Sequence, residues 1–141
     1  MPKNLALPKR IGWPVMVFLV FWDAFITYRV GGESNPLWRP FVEMFGLNAL
    51  WVLAALVLVL FYLVTKLAGW YVSRFEHFSQ GEEIVLTNLV IAFGTYDLYL
   101  TFLLPYFGYL GSGSHYAIIP VLAVPVIAYN VWLEYRKRKQ Q

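Results

Sequence analysis

The sequence predicts an all-α integral membrane bundle of four helices. Three observations carry that expectation. Of the 141 residues, 60% are hydrophobic and only 13% are charged, against about 45–50% and about 25% in soluble domains. Mean hydropathy is +0.58. The apolar residues gather into four stretches, at about 11–28, 46–67, 84–104 and 116–135. Each is near the ~20 residues that carry a helix across a ~30 Å hydrocarbon core. So few charges cannot clothe a soluble domain of this size, so the lipid bilayer is the expected partner of most of the surface. The reading is one transmembrane domain over 1–141, with tails at 1–10 and 136–141.

The first stretch holds Pro14 and Asp23, and no small-x-small cleavage pattern follows it. It therefore reads as a retained span, not a removed signal. Asn35-Pro36 then has the form of an N-cap with proline at the first helical position. In the second stretch Asn48, Ala55, Tyr62 and Lys66 fall on one stripe, because about eighteen residues make five turns. Lys66 is expected to snorkel to the nearer surface. Ser79-Gln80-Gly81-Glu82 predicts a capping box opening the third span, and Glu82 and Glu83 suit its dipole. That span is polar on two faces, with Asp97 on one and Asn88 and Thr95 on the other. Such a helix belongs at the centre of a bundle or at an oligomer interface. Gly111-Ser112-Gly113-Ser114 predicts a turn with Ser114 as a cap. In the fourth span Pro120 and Pro125 are expected to bend the helix, and Pro125 leaves the carbonyl of Val121 without its helical donor.

Lys and Arg set the orientation. Lys3, Lys9 and Arg10, then Arg74, then Arg136, Lys137, Arg138 and Lys139 mark the cytoplasmic side, with both termini inside and the protein in the cell membrane. The segment 108–115 carries no Lys or Arg and fits the outside. Arg29 and Arg39 run against this pattern, but Glu33 and Glu43 stand at helical spacing from them. Aromatics mark the two interfaces: Trp13, Trp70, Tyr71, Trp132 and Tyr135 inside, Tyr28, Trp38, Tyr106 and Tyr109 outside.

The net charge of +3 thus reports topology and not nucleic-acid binding. The absence of cysteine removes disulfides, thiolate metal sites and cysteine nucleophiles. His77 and His115 show no metal-ligand spacing. No glycine-rich phosphate loop follows a strand, and Ser114-His115 does not have triad geometry. No catalytic residue, metal or cofactor is assigned by these patterns.

The chain's two aspartates occupy nearly the same context: Trp22-Asp23-Ala24-Phe25-Ile26-Thr27-Tyr28 and Tyr96-Asp97-Leu98-Tyr99-Leu100-Thr101-Phe102. The match predicts a duplicated helical hairpin, helices 1–2 and 3–4, repeated in parallel about an axis along the membrane normal. Asp23 and Asp97 would then lie at similar depth. Threonine four residues on, at Thr27 and Thr101, would share the face of its aspartate and be able to bond it. An aspartate at this depth costs roughly 2.5–3.5 kcal/mol to insert. It either locks helices together or forms a site for a proton, a cation or a polar solute. Asn88 and Asn130 are expected at a common depth nearer the cytoplasm, where interhelical amide bonds are a common packing device. The candidate intramembrane polar set is Asp23, Thr27, Asp97, Thr101, Asn48, Asn88 and Asn130, with Glu33 and Asn35 in the outer loop.

Asp23-x3-Thr27, then Gly31-Gly32-Glu33-x-Asn35-Pro36, then Asn130-Val131-Trp132 resembles a family of small prokaryotic and archaeal multi-pass membrane proteins of unknown function. That family carries a D-x3-T helix followed by a G-x-E-x-N-P turn. The resemblance covers the first third of the chain and touches the last span. It implies a small helical bundle and groups Asp23, Thr27, Glu33, Asn35 and Asn130 as one polar set.

Three functions are consistent with these residues. The first is a homo-oligomer handling a proton, cation or small polar solute at Asp23 and Asp97. The second is a non-catalytic subunit or assembly factor that locks onto a partner membrane subunit. The third is an enzyme acting on a lipid headgroup through Asp23, Glu33 and Asp97.

Overall fold

The computed structural model describes residues 6–107 and 115–139. Lys3, Tyr109 and the expected Gly111–Ser114 turn lie outside the described residues. Every element among those described is helical: α1 (Lys9–Val30), α2 (Arg39–Phe45), α3 (Ala49–Phe75) and α4 (Gly81–Leu98). A π-helical segment, Tyr99–Leu103, runs on into α5 (Leu104–Phe107), and a 3-10 turn, His115–Ile118, leads into α6 (Ile119–Arg138). Four helices are long and apolar enough to cross a membrane: Lys9–Val30, Ala49–Phe75, Gly81–Tyr106 and Tyr116–Arg138. These fall on the four stretches expected, although the second starts later, at Ala49, and runs on to Phe75, and the chain is a multi-pass all-α membrane bundle.

The long helices divide between a packed face and an exposed apolar one. On α1 the buried residues are Gly12, Met16, Val20 and Ala24, one stripe at every fourth position. On α3 the exposed side chains include Val52, Leu56, Val59, Leu63 and Leu67. They recur at helical spacing, and in water such a face would be an aggregation surface. The central position expected of the third span is observed: α4 packs against α1, α3 and α6. Its polar residues on opposite faces therefore meet different neighbours.

Small residues set how closely the helices approach. A Cβ placed on Gly69 of α3 would lie 2.7 Å from the Cα of Glu82 and 2.9 Å from its nitrogen. One placed on Gly81 would strike the carbonyl oxygen of Gly69 and the hydroxyl of Ser73. Backbone meets backbone here, and only glycine fits on either side.

Beside this crossing, Lys9 Nζ contacts Glu82 Oε2 at 2.6 Å. Lys66 Nζ donates to both Glu82 carboxylate oxygens, at 3.1 and 3.0 Å. The expected capping box does not form. Gln80 occupies the N-cap with no side-chain capping bond, because Glu82 is drawn outward by two ammonium groups, which bind a carboxylate more strongly than an amide does. Lys66 reaches the expected end of the bundle and is fixed there by Glu82. Together Lys9, Lys66 and Glu82 make this the charged end of the bundle.

Two further expectations change. Asn35 does not cap a helix with Pro36 inside it. Its Oδ1 accepts from the nitrogen of Leu37 at 3.0 Å, forming a turn that precedes α2, and Pro40 occupies the first turn of that helix. Pro120 opens α6 and does not bend it, since it stands in the first turn, where no N–H is needed. Pro125 is the proline inside α6. Of the expected Arg–Glu pairs, Arg39–Glu43 forms at 2.7 Å. Glu33 is turned instead to the loop backbone, because Gly31 adopts a left-handed conformation (φ 80°) and ends α1 before another turn can form.

Candidate functional site

The placement of the two aspartates follows from how α1 and α4 align. The helices run parallel, and their contacts advance in step: Lys9 with Glu82, Gly12 with Leu86, Leu19 with Gly94. Carried forward, that register sets Asp23 level with Asp97, the shared depth expected from the repeated motif. Beside them Trp22 Nε1 donates to Thr101 Oγ1 at 3.3 Å, so the two motif copies touch.

The pairing of each threonine with its own aspartate is not what forms. Thr101 accepts from Trp22, while both carboxylate oxygens of Asp97 are buried without a hydrogen-bond partner. Asp97 is 4% exposed. The reason is local. Leu104 N–H bonds the carbonyl of Tyr99, five residues back, so Thr101 sits in a widened π turn. Pro105, which has no N–H, follows directly and favours such a break in the ladder. Thr27, half-buried on α1, uses its carbonyl to accept the N–H of Gly31 at 3.1 Å. Asp23 Oδ1 is likewise buried without a partner.

A cavity of about 390 Å³ lies between α1, α3, α4 and α6 and is roofed by the α1–α2 loop. Its polar end gathers Asp23, Glu33, Asn35, Trp38, Tyr96 and Tyr116. Its floor, toward the charged end, is apolar and includes Val20, Leu60, Phe61, Phe93 and Leu122. No Lys, Arg or His is among the described residues that line it. Asp97 stands outside the lining, although its neighbour Tyr96 is part of it. Glu33 takes the place that the repeat had suggested for Asp97: it is the second acid beside Asp23 in the cavity.

Loop chemistry explains the position of Glu33. Its Oε1 accepts from the nitrogen of Asn35 at 2.7 Å, which folds the carboxylate back under the loop. Burial raises the Glu33 carboxyl above its usual range, while the backbone N–H groups of Asn35 and Ser34 pull it down by a smaller amount. None of the ion pairs among the described residues includes Asp23, Glu33 or Asp97. Among those residues no three His, Asp or Glu side chains stand together in a way that could hold a metal ion.

The asparagines separate from this site. Asn130 Nδ2 donates to Asn88 Oδ1 at 2.7 Å, and Asn88 Nδ2 returns a longer bond of 3.4 Å. Each amide also bonds the carbonyl four residues earlier, Ile84 for Asn88 and Val126 for Asn130. The pair is an amide clamp between α4 and α6. Asn48 is exposed at the start of α3, away from the cavity. Sequence reasoning did not single out Trp38, Tyr96 and Tyr116 as one wall, since they come from three separate elements. Pro105 was the signal for the π turn.

No protein-family model matches the chain, and no curated protein or solved structure matches it.

Proposed function

We propose that the chain is a small cell-membrane protein with an intramembrane acidic site that binds and passes a proton, a cation or a small polar solute. One observation carries this reading. Three carboxylate oxygens, on Asp23 and Asp97, are buried without hydrogen-bond partners on adjacent parallel helices. Buried acids without partners are costly, and ionisable groups within membrane spans mark ion and proton pathways. A proton or a dehydrated cation between the helices would satisfy them.

In this reading both termini and the charged end face the cytoplasm, and the cavity roof faces outward. The basic residues Arg136, Lys137 and Arg138 in the last turn of α6 support that orientation. A homo-oligomer is part of the proposal, because four helices of which one is central enclose little pathway by themselves. The D-x3-T and G-x-E-x-N-P residues that resemble the family named above supply Asp23, Glu33 and Asn35. All three line one cavity.

Reconstitution into liposomes under a pH or cation gradient tests the proposal. Asp23→Asn and Asp97→Asn are expected to abolish flux while the folded species survives, and Asn130→Ala is expected to retain flux. No flux from the unmodified protein overturns it. A second reading, a subunit that locks onto a partner, draws on α6, whose Val124, Ile127 and Val131 are exposed and which packs chiefly on α4. It predicts a stoichiometric partner in mild-detergent purification.

A further inference from the structure

The cavity between α1, α3, α4 and α6 has a shape and polarity that the acidic pair alone does not explain. We infer that its occupant is a cationic amphiphile, an ammonium head on an alkyl tail, with the head between Asp23 and Glu33 and the tail directed toward Phe61 and Phe93. The inference rests on the proposed acidic site and names the class of solute it takes.

Three features lead there. Charge comes first: two acids line the polar end, and among the described residues that line the cavity none is basic. An anionic headgroup would meet a carboxylate with nothing to offset it, and a zwitterionic one would bring a phosphate with no basic partner among those residues, whereas a lone ammonium supplies the missing counter-charge. The aromatic wall is second. Trp38, Tyr96 and Tyr116 stand at that same end, and their ring faces attract cations. Length is third. On α3 the lining runs from Leu50 to Phe61, about 16 Å at the helical rise. Beyond the level of Ala54 it is apolar, ending at the Phe61–Phe93 edge-to-face pair, whose ring centroids are 5.4 Å apart. A bare metal ion or a short polar solute would leave that floor empty. A neutral lipid tail would fill the floor and bury Asp23 against hydrocarbon.

The test uses the full chain in zwitterionic nanodiscs, with empty nanodiscs subtracted, and measures binding calorimetrically. The probes are octylammonium, ethylammonium and octanol. Octylammonium is expected to bind saturably, about tenfold or more tighter than either of the others, because only it engages both ends. Asp23→Asn and Glu33→Gln are expected to weaken octylammonium by a similar factor and leave octanol unchanged. Val57→Phe, which enlarges a lining residue beyond the level of Ala54 on the apolar side, is expected to reduce octylammonium to the level of ethylammonium. Equal binding of ethylammonium and octylammonium, both lost in Asp23→Asn, overturns the amphiphile while the acidic site stands. Octanol binding as tightly as octylammonium removes the role of the head and overturns the inference. Absence of binding by all three probes overturns it too, and the flux experiment with Asp23→Asn and Asp97→Asn then decides separately on the acidic site.

Discussion

Adding a single methyl group at different glycines should change stability with different signs. At Gly69 an added Cβ lies 2.7 Å from Glu82 Cα and 2.9 Å from Glu82 N. At Gly81 it strikes the Gly69 carbonyl oxygen and lies 2.9 Å from the nitrogen of Ser73. These obstacles are backbone, so no rotamer change relieves them, and α3 must move away from α4. Overpacking of this kind costs about 1–3 kcal/mol. Separation would also stretch the Lys66–Glu82 contact, a further loss of up to about 1 kcal/mol for a partly exposed pair. At Gly12 the nearest atoms are Leu86 Cδ2 at 2.6 Å and Cγ at 3.0 Å, side chain and not backbone, but Leu86 is fully buried, so a loss between those at Gly69 and Gly94 is expected. At Gly94 the nearest atom is Leu19 Cδ1 at 3.8 Å, an ordinary contact, and alanine there gains up to about 1 kcal/mol in helix propensity. The predicted order of stability is Gly94→Ala at or above the unmodified protein, then Gly12→Ala, then Gly69→Ala and Gly81→Ala. Thermal unfolding in detergent, followed by the fraction remaining monodisperse, measures it. Gly69→Ala as stable as the unmodified protein, or Gly94→Ala as the worst of the four, refutes the close crossing.

Further predictions address the clamp, the register and the loop. Asn88→Ala and Asn130→Ala should be coupled in a double-mutant cycle by about 0.6 kcal/mol and no more than about 1.7, the range for polar pairs between membrane helices; additive losses would remove the amide clamp. Cysteine pairs can be introduced into a chain that has none. Leu19→Cys with Gly94→Cys should join with a short bifunctional reagent, whereas Leu19→Cys with Val124→Cys should not, and the reverse pattern would undo the α1–α4 register. Because burial raises Glu33 above its usual value of 4.5, its contribution to stability is present below that pH and lost as the pH rises through the raised value. Glu33→Gln should therefore flatten the pH dependence of the unfolding midpoint above about 4.5; identical profiles for the two proteins would place Glu33 in water.

The sequence by itself determined the class of the molecule, its four spans and the common depth of its two aspartates. Those properties are local or periodic. Twenty or so apolar residues must be helical in lipid to satisfy their own backbone. A motif repeated at the same distance into two parallel spans must land at the same level. The prediction that the third span is central was equally legible, because Asp97 and Asn88 on opposite faces each require a neighbour. Tertiary structure decided which polar groups share a space. Glu33 joins Asp23 because left-handed Gly31 ends α1 and the loop folds back over the bundle, an outcome of chain reversal that no helical spacing encodes. Asp97 is packed outside the cavity and loses Thr101 to Trp22, because a π turn before Pro105 widens the helix by one residue. Glu82 leaves its cap because two lysines, distant in sequence, arrive beside it. In each case a local preference of about 1 kcal/mol gave way to a contact that exists only once the helices have met.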